Sequence, residues 1–185
     1  MADLKCEYPD GGIINIDAKA IIARYSESQA KILDTNFVVP TSQVGGKITS
    51  IKNIMVNVLE TRGVINSVDI FVDYQIIMTV AVGREFQVVT IEDIYEQVIA
   101  AQDFDPPLTN QELRALVQGI EIVLANWNFE ADILGSSEDP SNPCNLTSPV
   151  VGTCISLQVF VDINVLLDRI ETIVVFGELD TETTF

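Results

Sequence analysis

The chain has 185 residues, no histidine, and 27 acidic against 10 basic side chains, a formal net charge of −17 at pH 7. That balance argues against nucleic acid or an anionic membrane as partner, because there is no basic surface to neutralise phosphate. Without histidine the usual neutral-pH general base and the Ser–His and Cys–His nucleophile pairs are missing, while 48% hydrophobic residues leave ample material for one core.

Residues 1–12 are polar and end in Pro9-Asp10-Gly11-Gly12, a turn and hinge signal, and read as a flexible arm. Alternation through Ile14, Ile16, Ala18, Ala20 and Ile22 predicts a first strand, and residues 31–39, closed by Pro40, a second. A third covers 48–60, with Ile54, Val56 and Val58 on one face, and Arg62-Gly63 reads as the turn out of it. Next comes the clearest signal in the chain: Val68, Ile70, Val72, Tyr74, Ile76, Met78, Val80 and Val82, every second residue apolar, a strand with one buried face. A short fifth strand is expected over 86–89.

At Thr90 the period changes. Ile91, Ile94, Tyr95, Val98 and Ile99 recur at helical spacing, and Thr90 with Asp93 resembles a capping box, so a helix is expected up to Asp105-Pro106-Pro107. A second box, Thr109-Asn110-Gln111-Glu112, predicts a shorter helix with Leu113, Leu116 and Val117 inward, ended by Gly119. Alternation resumes at Ile120, Ile122 and Leu124 and continues on the other parity through Trp127 and Phe129, which places a bulge near Ala125-Asn126. Residues 135–149 form a long polar loop. Two more strands follow, over 155–165 and 170–176, and an acidic, threonine-rich tail closes the chain at 178–185.

The expected architecture is mainly β: a two-sheet sandwich or jelly-roll-like domain of about eight strands over 13–177, with a two-helix insertion over about 90–118. Ser67-Val68-Asp69-Ile70-Phe71-Val72-Asp73-Tyr74-Gln75-Ile76 aligns with Ser156-Leu157-Gln158-Val159-Phe160-Val161-Asp162-Ile163-Asn164-Val165, which reads either as a duplicated β unit or as the chance likeness of two alternating strands.

No pair of carboxylates sits in a context that would shift one of them into acid–base work, and no glycine-rich phosphate loop precedes a helix, so no enzyme and no small-molecule substrate are expected. Glu138, Asp139, Asn142 and Asn145 crowd one loop with oxygen ligands of the kind Ca²⁺ takes, although their spacing is not that of an EF-hand. Otherwise no cofactor is expected. Cys144 and Cys154 flank a turn-rich stretch that would let them meet, leaving Cys6 to pair between chains; three reduced thiols is the other reading. The start Met1-Ala2-Asp3-Leu4-Lys5 carries charges and no apolar segment follows, so synthesis in a cytoplasm without a signal peptide is expected.

Long apolar-faced strands leave edges that must be covered or used. The expected use is self-assembly, with an arm bearing Cys6, Tyr8, Ile14 and Ile16 completing the sheet of a neighbour. The stretch Lys47-Ile48-Thr49-Ser50-Ile51-Lys52-Asn53-Ile54-Met55-Val56-Asn57-Val58, with the Arg62-Gly63 turn and the strand to Val82, resembles the β repeat of bacterial endospore coat and exosporium proteins. The arm cysteine and β-rich core also look like subunits of endospore appendage fibres, which are built in the mother cell and cross-linked by disulfides; those subunits carry more arm cysteine than the single Cys6 here. The resemblance implies a structural homopolymer on a spore or cell surface, with no catalytic residues. A phage tail or capsid component, and a Ca²⁺- or glycan-binding module using the 135–149 loop, are the alternatives.

Overall fold

The computed structural model describes residues 13–65, 68–144 and 150–176. Six strands and two short helices follow one another: β1 (Ile13–Pro40), α1 (Thr41–Val44), β2 (Ile48–Val64), β3 (Asp69–Val82), β4 (Glu85–Val98), α2 (Asn110–Leu116), β5 (Gly119–Ser136) and β6 (Gly152–Phe176), with a 3₁₀ turn at Ala101–Asp103. They build two antiparallel three-stranded sheets, ordered β1-β6-β5 and β2-β3-β4. The inner faces of both sheets feed one core, a sandwich-like arrangement.

The middle strand of each sheet anchors that core. On β3 the side chains of Ile70, Val72, Tyr74, Ile76, Met78 and Val80 are buried, as the two-residue period requires. Ile155, Leu157, Val159, Val161, Ile163, Val165 and Leu167 do the same on β6. The two segments that align in sequence are thus the two central strands.

Six strands stand where about eight were expected, and each difference has a local cause. The first two expected strands are one, β1, 28 residues long. Register shifts at Ile21/Ala23, Glu27/Ala30 and Lys31/Leu33 change which parity faces the core, so the inward set runs from Ile22 to Tyr25, then Ala30 and Ile32, then Leu33, Phe37 and Val39. A parity change looks like a strand end when only the alternation is visible. The last two expected strands are also one, β6. There Leu166 and Ile170 face outward, against the buried odd positions, and their apolar side chains mask the unbroken period.

The expected helix over 91–99 is strand. Ile91, Asp93, Tyr95 and Gln97 are half-buried while Thr90, Glu92, Ile94, Glu96 and Val98 are exposed, a period of two, and β4 pairs with β3 throughout. The β-branched residues Val88, Val89, Thr90, Ile91 and Ile94 favour that outcome over the two incidental i,i+3 coincidences. The second capping box forms as expected: the Thr109 hydroxyl accepts from Glu112 N at 3.2 Å and the Glu112 carboxylate accepts from Thr109 N at 2.8 Å. Leu113 and Val117 are buried and Leu116 half-buried.

Arg62-Gly63 is not a turn; β2 continues to Val64. Gly63 instead permits close approach of the sheets, since a Cβ there would meet the Ile120 side chain at 2.8 Å. The bulge near Ala125-Asn126 is present, between Ala125 and Asn128, and carries the inward set from Leu124 to Trp127 and Phe129.

Candidate functional site

β1 and β6 pair along their whole length, but β5 begins only at Gly119, opposite Asp168. Residues 13–20 opposite 169–176 therefore leave the three-stranded sheet as a two-stranded ribbon. Gln118 marks the exit: its N–H donates to Asp168 O at 2.8 Å, and its side-chain oxygen accepts from Ile170 N at 2.8 Å. Beyond that point β6 has no strand on its β5 side among the described residues. An isolated two-stranded ribbon is marginal in water, and this one shows water Ile170 (63% exposed), Ile173 (48%) and Val174 (48%). Ile21, half-exposed on the β1 strand, lies at its base.

Two residues expected in a crossing arm, Ile14 and Ile16, lie in this ribbon, opposite Val175 and Ile173 of the same chain. Cys6 and Tyr8 fall outside the described residues, as does the acidic tail.

The ribbon is held at its root by charge. Lys19 on β1 reaches Glu121 on β5 at 2.8 Å and Asp168 on β6 at 2.9 Å, spanning all three strands. Hydrogen bonds to these two carboxylates hold the Lys19 ammonium above its usual range. Gly119 leaves room for this arrangement, because a Cβ there would come within 2.5 Å of an Asp168 oxygen.

Further along sheet β1-β6-β5 the outer face is polar and organised around Asp162. Its carboxylate accepts from Asn126 Nδ2 (2.7 Å), Gln29 N (2.7 Å), Gln29 Nε2 (3.1 Å) and Ser28 Oγ (3.1 Å). Gln29 and Asn126 sit in the bulges of the two flanking strands, both at φ 52°, and Gln29 Nε2 also donates to Asn126 O. These donors, Asn126 first, hold the Asp162 carboxyl down at about 2. Sequence reasoning located the bulge at Asn126 but not this clasp, since nothing local to Asp162 reveals donors on two distant strands.

The outer face of sheet β2-β3-β4 is different. Phe86, Val88, Ile94 and Val98 on β4 and Met55 and Leu59 on β2 are all exposed, with Phe86 and Val98 about two-thirds so. The first face also exposes Val123 and Leu134, and the second sets its apolar side chains among Arg62, Asp73, Gln75 and Glu92; exposed apolar patches of this kind mark interaction surfaces.

Cys144 and Cys154 form a disulfide with a Cα–Cα distance of 5.9 Å, both side chains buried. It staples the loop after β5. Ser137 donates to Val150 O at 2.8 Å and accepts from Gly152 N at 2.9 Å inside that loop. Of the four residues with oxygens suited to Ca²⁺, Asp139 accepts from Ser141 N and Oγ, which lowers its carboxyl below the ordinary range. Asn142 is buried, donates to Leu134 O and accepts from Cys144 N. Glu138 is exposed next to them, and Asn145 lies outside the described residues. Among the described residues no three His, Cys, Asp or Glu side chains gather where they could share a metal ion. No helix there is long and apolar enough to cross a membrane.

No protein-family model matches this chain, and no curated protein or solved structure matches it either.

Proposed function

We propose that the protein is a structural subunit that assembles with copies of itself into a fibre or layer, as on a spore or cell surface. A phage tail or capsid component is the alternative setting for the same chemistry. The observation that carries this reading is the projecting β1/β6 ribbon, with a β6 edge beyond Ile170 that has no strand beside it among the described residues and apolar side chains on both of its faces. An open edge of this kind is a template for a strand from another chain, and natural monomers blunt such edges with charge, proline or a covering element. Here the covering stops at Gln118. The apolar outer face of sheet β2-β3-β4 offers a second contact, so each subunit has more than one surface through which an array can grow. Structural work asks nothing of a histidine, which fits a chain without one.

The test is Ile170→Lys with Val174→Lys. Lysine on an edge strand discourages strand addition. Because the two changes also bring the net charge closer to zero, any loss of assembly cannot be blamed on added repulsion. Assemblies seen by negative stain and light scattering in the parent are expected to disappear in the variant, with the melting temperature nearly unchanged. A parent that stays monomeric at millimolar concentration, or a variant that assembles as well as the parent, removes the basis of the proposal.

A further inference from the structure

Cutting the chain at Gly83 leaves two halves of the same plan. The first runs β1, α1, β2, β3 and the second β4, α2, β5, β6: strand, helix, strand, strand. A similar tripeptide stands at each helix start, Thr41-Ser42-Gln43 and Thr109-Asn110-Gln111, offset by one position: Thr41 is the first helical residue of α1 and Thr109 the N-cap of α2. Each is followed by glycine, Gly45-Gly46 or Gly119, and an antiparallel pair. The last strand of each half carries most of the aligned segment, with Phe71, Val72 and Asp73 matched by Phe160, Val161 and Asp162; Ser67, matched in sequence by Ser156, lies outside the described residues. These agreements at the level of element order, helix start and central strand support duplication over chance likeness.

The pairing then shows an exchange. β1 belongs in sequence to the first half but pairs with β6 of the second, and β4 belongs to the second half but pairs with β3 of the first. Each half completes its sheet with the leading strand of the other. The hydrogen bonds of β1 run to the second half well beyond the β6 ladder: Arg24 and Asp105 exchange backbone bonds at 3.0 and 2.8 Å, Glu27 accepts from Gln97 at 2.7 Å, and Lys19 meets Glu121. With its own half it shares the covalent link at 41–47, a long bond from Tyr74 Oη to Ile32 O at 3.4 Å, and apolar packing across the core.

We propose that β1 is the exchanged element when copies of this chain join, lodging along β6 of the next copy as it does along β6 of its own. The polar contacts would be the same whichever chain supplies the strand. What differs is the path of the link through Gly45, at φ 78°, and Gly46, and the effective concentration of the tethered strand, of order millimolar for a short flexible linker. Exchange of an identical element is a low-cost route to oligomers, and passing β1 onward head to tail gives an open filament where the rotation does not close. This rests on the assembly reading above and adds to it a second kind of joint, at the β1 seat on β6 rather than at the open edge on the β5 side.

Cysteine pairs across two ladders decide the matter in the full-length chain with Cys6→Ser. One pair is Ser26→Cys with Asn164→Cys, whose parent side chains hydrogen-bond across β1 and β6 at 2.7 Å. The control is Gln75→Cys with Glu92→Cys, likewise bonded across β3 and β4 at 3.0 Å. After assembly at high concentration and mild oxidation, non-reducing gels are expected to show a ladder of linked chains for the first pair, monomer for the second, and no ladder for either single variant of the first pair. Assemblies in light scattering with both pairs linked only within the chain would overturn exchange and leave assembly standing. Links between chains at both pairs would move the exchange to the Gly83 turn and overturn the assignment to β1. Monomers throughout would remove both proposals.

Discussion

Asp162 shows how much one side chain organises when three strands meet at it. Its carboxyl binds a proton less readily in the folded chain, at about 2, than in the unfolded chain, near roughly 3.9. A depressed folded value means that its stabilising contribution is complete above the unfolded value and is lost as pH falls through about 4 toward 2. Asp34, Glu112 and Asp139 are lowered in the same direction by their own donors and add to the acid limb. Asp162→Ala is expected to melt lower than the parent at pH 7 and to approach it near pH 2, as followed by circular dichroism between pH 2 and 7. A parallel pair of curves would assign the acid limb to other carboxylates. Inside the core, Tyr74 is fully buried and its hydroxyl donates to Asp93 Oδ2 at 3.0 Å. Tyr74→Phe removes that bond without changing the packing, so a loss of about 1–2 kcal/mol is expected in urea unfolding, and no loss would mean that the hydroxyl contributes nothing net.

Among the elements, the loop between β5 and β6 has the clearest single dependence. A disulfide closing so short a loop contributes about 3 kcal/mol by limiting the unfolded chain. For a domain of this size that is roughly 6–12 °C in melting temperature, so Cys144→Ser with Cys154→Ser is expected to fall by that much in calorimetry, and a shift below about 2 °C would contradict it. A tighter constraint lies next to it. At Gly152 an added Cβ would land on the Val39 carbonyl, where β6 starts beside the end of β1, and backbone cannot move aside as a side chain can. Gly152→Ala is expected to cost roughly 1–3 kcal/mol or more, read from the chemical-denaturation midpoint. The elements also show where sequence reading works. The buried face of β3, the second capping box and the bulge near Asn126 were all legible, because each depends on residues within a few positions of one another. The continuity of β1 and β6 was not, because parity changes and outward Leu166 and Ile170 conceal a strand that only its neighbour defines. Nor was the helical spacing in β4 a safe guide: Ile94 and Val98 satisfy that period while facing solvent. Of the candidate site, the strand expected over 170–176 is present, but nothing local to it reveals that its β5-side edge lacks a partner among the described residues, and Ile14 and Ile16, expected in a crossing arm, pair within the chain.

For the whole molecule, apolar contact and charge oppose each other. Seventeen net negative charges on each copy repel at the distances where ribbons and apolar faces would meet. In the proposed assembly the attraction would come from exposed Ile170, Ile173, Phe86 and Val98, and apolar burial is not weakened by simple salt. Screening therefore acts on one side of the balance. At about 10 mM ionic strength the Debye length is near 30 Å, wider than the gap between touching subunits, whereas at about 1 M it is near 3 Å. Assembly is expected to strengthen steeply across that range, with the critical concentration in light scattering falling by at least about tenfold, a change of roughly 1.4 kcal/mol per contact. Sodium chloride and potassium chloride should act alike, because screening depends on ionic strength and not on the cation. A critical concentration that rises with salt would instead place ion pairs at the joint, and the apolar ribbon would then not be what holds the copies together.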